Sequence, residues 1–184
     1  YFPSLEYIKH LLLFDEIIIE VNEYFPHQTN RNRCHILGPN GMQRLTVPIK
    51  QNHVKTPTGN IEIIDGKWKQ QHWRSLTTAY NRSALFEFYK DELESIIFDK
   101  HQLLIELNTR ILSFLLKAQK KTMAINFTTS FQSSYENDFR YISDEKSQNQ
   151  ISKIILPSYP QVFSGKTGFV SNLSAIDALF NGAL

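Results

Sequence analysis

Two stretches of this chain concentrate side chains capable of chemistry. HQTNRNRCHI, from His27 to Ile36, brings two arginines, two histidines, two asparagines, a glutamine and the chain's one cysteine into ten residues. KWKQQHWRSLTTAYNRS, from Lys67 to Ser83, sets His72 among Trp68, Gln71, Arg74 and Tyr80. If residues 31–37 are extended, side chains alternate between faces, so Arg31, Arg33 and His35 share one side and Asn32, Cys34 and Ile36 the other. Three basic groups in a row repel one another unless they meet acids or an anion. A guanidinium grips a carboxylate or phosphate through two parallel hydrogen bonds, so Arg31 and Arg33 suit a phosphate, a pyrophosphate or a carboxylate. The structural alternative is that Glu20, Glu23 or Asp65 neutralises them internally.

On a helix, the second stretch lines up Trp68, His72, Ser75 and Ala79, then Lys69, Trp73, Leu76 and Tyr80, then Gln71, Arg74 and Thr78. Trp73, Leu76 and Tyr80 read as core, since aromatic stripes at helical spacing usually pack. His72 is either a satisfied core histidine or a general acid or base, with an ordinary pKa of about 6.5. Arg74 is a second anion clamp or a surface charge. Other chemistries find no support. The sequence has no Walker loop, no G-x-G-x-x-G, no His-x-x-x-His, no Cys-x-x-Cys and no G-x-S-x-G. Cys34 and His35 point to opposite strand faces and make a poor metal pair, so no metal or cofactor is expected. A single buried cysteine reads as inert.

The elements that must position these groups follow from patterning. Ser4 can cap a helix whose apolar side is Leu5, Ile8, Leu11 and Leu12. Ile17-Ile18-Ile19 reads as a strand buried on both faces, as in a parallel sheet. Arg33–Leu37 and Arg44–Ile49 flank Gly38-Pro39-Asn40-Gly41, a hairpin with Asn-Gly at its tip. Ile61–Ile64 reads as a further short strand. Asp65 can cap a helix over about 67–80, and Ser83 a second carrying Leu85, Tyr89, Leu93 and Ile96. A third helix carries Leu104, Leu107, Ile111 and Leu115. Phe127–Phe131 reads as a strand, 133–150 as a long polar loop, 160–168 as loop, and Ser171 or Asn172 as the cap of a last helix through Phe180. The expected class is α/β: a mixed sheet with an antiparallel hairpin near residues 33–49, followed by a helical region.

Composition sets the outer limits. With 184 residues the chain reads as one domain, 1–184. That size buries roughly 70% of the unfolded surface without a disulfide or metal. The net charge of +2, with acids and bases interspersed, argues against nonspecific nucleic-acid binding. No apolar run approaches the ~20 residues that span a membrane, so no membrane partner is expected. The opening Tyr1-Phe2-Pro3-Ser4 is not a signal peptide and lacks an initiator methionine, so residues upstream of Tyr1 are expected. One cysteine fits a reducing compartment.

Several motifs together resemble the WbqC-like protein family: Tyr1-Phe2-Pro3-Ser4, Gln28-Thr29, Arg31-Asn32-Arg33-Cys34, GPNGMQRLTVPI (38–49), WKQQHWRSLTTAYNRSALFEFY (68–89), YPQVF (159–163) and GFVSNLS (168–174). Two positions depart from the family pattern: Asn30 stands in place of an aromatic and His27 in place of a lysine. The resemblance implies a bacterial cytoplasmic protein of surface-polysaccharide (O-antigen) biosynthesis. Sugar nucleotides carry a pyrophosphate. The expected partner is therefore an anionic small molecule such as a sugar nucleotide, and the expected activity a transferase on a nucleotide-linked amino sugar. In that reading His72 is the catalytic base, and Arg31, Asn32, Arg33, Arg74, Tyr80 and Gln71 contact substrate. The alternative is a non-catalytic protein that recruits polysaccharide enzymes through Phe86-Glu87-Phe88-Tyr89.

Overall fold

The computed structural model describes residues 1–26, 29–50, 55–140, 142 and 154–184. Gln28, much of the 133–150 stretch and part of the 51–60 loop lie outside them. Mixed α/β architecture is observed, with a small antiparallel sheet, a parallel strand pair and helices following.

Helix α1 (Leu5–Leu11) starts where the serine predicts: the Ser4 side chain accepts from the Tyr7 N–H at 3.3 Å. Strand β1 (Glu16–Ile19) pairs in parallel with β4 (Ala124–Phe127), in the register Glu16↔Ala124 to Ile19↔Phe127. The isoleucine run is therefore in a parallel pair, but it is not buried on both faces. Ile17, Ile19 and Ile125 pack on the core, while Ile18 is 63% exposed. Among the described residues this sheet has two strands, and the face that carries Ile18 is exposed. Strand β4 also begins earlier than the predicted 127–131, because pairing with β1 sets its limits.

The hairpin forms from β2 (Arg33–Gly38) and β3 (Gly41–Thr46), paired Arg33↔Thr46, Cys34↔Leu45 and His35↔Arg44. Pro39 and Asn40 occupy its tip. Gly41, at φ +102°, takes the positive-φ position that only glycine adopts without strain. Asn-Gly thus straddles the turn and the strand. Cys34, Ile36 and Leu45 are buried on one face.

Helix α2 (Trp68–Tyr80) packs against β2, and α3 (Phe86–Phe98) against α2 and α4 (Leu104–Ala118). Neither expected side-chain cap is used. Asp65 accepts from the Gly66 N–H, and Ser83 donates to the Tyr80 carbonyl, closing the end of α2 instead of opening α3. Leu104, Leu107, Ile111 and Leu115 are all at most 1% exposed. Each such side chain contributes roughly 1.5–3 kcal/mol. The Glu106 carboxylate caps α4 by accepting from the N–H groups of Gln102 and Leu103. Residues 61–64 make isolated bridges, Ile49↔Ile63 and Glu62↔Leu103, rather than a ladder.

The C-terminal segment carries a short helix, α5 (Ser164–Thr167), and α6 (Ala175–Phe180). It returns to the start of the chain. Ser4 bridges Ser174, Leu5 N–H donates to the Leu173 carbonyl at 2.9 Å, and Ala175 N–H to the Pro3 carbonyl at 2.8 Å. Asn172 caps α1 from outside, its side chain accepting from Glu6 N–H at 3.0 Å, while Ser174 occupies the N-cap of α6.

Candidate functional site

His72 sits on the inner face of α2 and is 6% exposed. Its Nδ1 lies 2.9 Å from the Tyr1 hydroxyl, and the Thr46 carbonyl also hydrogen-bonds the ring. Trp68 meets it edge-on at 5.1 Å, and Tyr1 lies tilted at 5.4 Å. Burial pushes the imidazole down to about 4, against the opposing pull of Thr46. His72 is therefore neutral near pH 7 and its hydrogen bonding is taken up internally, the arrangement of a satisfied core histidine.

Tyr80, on the same helix face, is 1% exposed and donates to Asp177 of α6 at 2.9 Å. Asp177, itself 1% exposed, also accepts from Tyr159 at 2.8 Å and Gln161 at 3.0 Å. Burial raises its carboxyl above the ordinary carboxylate range, against the three donors. This buried knot ties α2, α6 and the 159–161 segment together.

Arg31 precedes β2 and pairs with Glu23, a buried acid that Arg140 also approaches at 3.6 Å. Around them Arg140 grips Asp138, and Glu20 accepts from Tyr135 at 2.7 Å, Thr128 at 2.9 Å and the N–H groups of Asn22 and Glu23. Burial pushes the Glu20 carboxyl up, but the bonds from Tyr135, Asn22 and Thr128, with Arg140 nearby, outweigh it and hold it below the usual range. The cluster forms where the chain leaves the carboxyl ends of β1 and β4. The internal network weighed against a ligand site is thus the environment of Arg31. Sequence reasoning missed Arg140, Tyr135 and Asp138, more than a hundred positions from Glu23, and no local pattern marks them.

Asn32 and Arg33 differ from Arg31. Asn32 is buried and donates to the Val47 carbonyl at 3.0 Å, yet its Oδ1 accepts nothing among the described residues. The Arg33 Nε is buried and likewise has no acceptor among them. The strand pleat places Arg33 and His35 on the face opposite Cys34, and the register sets Arg44 directly across from His35. Among the described residues neither Arg33 nor Arg44 forms an ion pair. His35 is half-buried, and its pKa is lowered by burial first and then by Arg44 and Arg33. Arg44 was legible in principle: a hairpin folding about Pro39-Asn40 must pair positions 35 and 44.

Gln71 and Arg74 lie on the exposed side of α2. Of Phe86-Glu87-Phe88-Tyr89, Phe86 is buried, Tyr89 half-buried and Phe88 78% exposed. A surface groove of about 770 Å³, lined by Glu62, Asp65, Lys69, Lys100, His101 and neighbours, contains none of the catalytic or substrate-binding residues expected from the sequence. The structure therefore brings Arg33 together with His35 and Arg44, and directs Arg31, His72 and Tyr80 to three separate internal networks. Among the described residues, no helix is long and apolar enough to cross a membrane.

A sequence model of the family described as the WbqC-like protein family matches residues 1–155. A protein of Mycobacterium tuberculosis named Uncharacterized protein Rv1507c is 31% identical over 115 residues, covering 61% of this chain and 50% of that protein. The chain thus spans about half the length of the curated relative it matches. No solved structure matches.

Proposed function

The chain belongs to the WbqC-like protein family; we propose that it serves bacterial surface-polysaccharide (O-antigen) biosynthesis in the cytoplasm, as a transferase acting on a nucleotide-linked amino sugar. The outer face of the hairpin takes the substrate's diphosphate through Arg33 and Arg44, with His35 between them. One observation carries this reading: a buried guanidinium nitrogen on Arg33 has no acceptor, on a face where the opposing strand adds a second arginine and no described carboxylate pairs with either. Leaving a buried donor unsatisfied costs about 1–3 kcal/mol, and more for a charged one, which favours a turn of the side chain that brings the guanidinium to a phosphate oxygen in a charge-assisted bond. Arg31 is assigned to the Glu23 network rather than to substrate, and His72 to the core.

The test is thermal unfolding against UDP-, GDP- and dTDP-linked sugars, with the free uncharged sugars as controls. Ligand at 100 times its dissociation constant adds about 2.7 kcal/mol. At roughly 2–4 °C per kcal/mol for a chain of this size, the rise is about 5–11 °C. Arg33→Ala and Arg44→Ala should each remove most of it, while Arg74→Ala should not. If no nucleotide sugar moves the midpoint, or if Arg44→Ala leaves the shift intact, the diphosphate is not held here.

A further inference from the structure

We infer that His35 is the proton-carrying member of this anion site: it donates a ring N–H, as imidazolium, to a phosphate oxygen held by Arg33 and Arg44, so that the diphosphate binds together with one proton. The inference rests on the reading of the hairpin face given above and specifies how that face responds to pH.

The placement comes from the ladder. His35 and Arg33 are two positions apart on one strand, hence on one face, and Arg44 is the direct cross-strand partner of His35. The imidazole thus has one arginine position across the ladder and another along its own strand. No described residue hydrogen-bonds its ring, whereas the ring of His72 bonds Tyr1 and that of His101 bonds the Ile96 carbonyl. The charged groups that bear on it are Arg44 from β3 and Arg33 from β2. From the segment before α6 comes the Ser174 N–H, which meets the His35 carbonyl rather than the ring.

The sign follows from the charges. In the free protein partial burial first, and then the Arg44 and Arg33 charges, lower the pKa of His35 and favour the neutral ring. A bound diphosphate offsets the two guanidinium charges and offers the ring an anionic acceptor, so the ring accepts a proton and adds a third donor to the clamp. Affinity must then rise as pH falls, because binding takes up a proton. Above the pKa of the bound ring, the site holds the anion through the arginines alone.

UDP-N-acetylglucosamine is a suitable probe, since its diphosphate diester stays fully ionised across the range. Calorimetry from about pH 5.5 to pH 8 should show affinity falling by up to about tenfold per pH unit between the pKa of the free ring and that of the bound ring, and levelling off above the latter. His35→Gln should bind with an affinity that is flat across the same range. A second readout needs no folded variant at His35: the ring's proton resonances in the wild-type protein should titrate at higher pH with the probe bound than without it. Arg44→Ala, at an exposed position, should raise the midpoint in the free protein. If the probe binds wild type with a pH-independent affinity, or if the ring titrates identically with and without it, the role given to His35 falls while the anion site stands. If the probe does not bind at any pH, both fall.

Discussion

His72→Gln offers a direct test of the role the fold assigns to this histidine. Glutamine offers both an acceptor and a donor, so the contacts to Tyr1 and Thr46 can be retained by a side chain that does not titrate. In the native protein the ring is held down to about 4, whereas an unfolded histidine titrates near its ordinary value. At about 1.4 kcal/mol per pKa unit, that difference is worth about 3 kcal/mol. The sign is fixed by which state binds the proton. Between the two values the unfolded chain is protonated and the native ring is not, so stability rises with pH there. The contribution is fully present above the unfolded pKa of about 6.5 and is lost as pH falls towards 4. Such a loss is a large part of a total of about 5–15 kcal/mol. Urea unfolding at a series of pH values measures it. His72→Gln should lose about 1 kcal/mol near pH 7 from poorer hydrogen-bond geometry, yet be flatter than wild type by about 3 kcal/mol between pH 6.5 and 4. His35, Glu20, Asp138 and Asp177 also carry shifted values, but both proteins contain them, so they cancel in the difference. Parallel wild-type and variant curves would mean that the ring is not held neutral in the core. A variant that keeps its stability profile but loses sugar-nucleotide binding would return His72 to the substrate site.

Asp177→Ala should destabilise by about 1–3 kcal/mol for each buried donor, Tyr80 and Gln161, that loses its acceptor, with the half-buried Tyr159 adding less, and the lowered urea midpoint should be accompanied by an unchanged slope. Asp177→Asn should recover part of that loss. Cys34, buried and pushed up to about 12 chiefly by desolvation, should resist a thiol reagent in the native protein at pH 8 and react only as the chain unfolds; immediate labelling would contradict its place in the core.

Much of the architecture was readable along the chain because it depends on local period. The stripe Leu104, Leu107, Ile111, Leu115 forms α4 and is buried throughout, since spacings of three and four put those side chains on one face whatever the partner. The hairpin was also readable, as Gly41 is one residue that can take the positive φ its turn requires. Two caps were misplaced for a common reason: Asp65 and Ser83 have nearer backbone groups to bond, and helix starts are decided by the packing of Trp68 and Phe86.

The sequence by itself determined the residue types on each strand and helix face, and so the presence of two arginines and a histidine on one side of the hairpin. Which cations meet an internal acid was decided only by the tertiary structure. Arg31 is two positions from Arg33, yet one reaches Glu23 and the other leaves a buried nitrogen open, because the strand begins at Arg33 and the residue before Asn32 lies in the preceding turn. Likewise β1 finds its partner at Ala124, Tyr80 finds Asp177 and Glu23 finds Arg140, across separations of roughly a hundred residues. Such pairings leave no periodic trace, because they depend on how the helices between them pack, and that packing is a property of the whole chain.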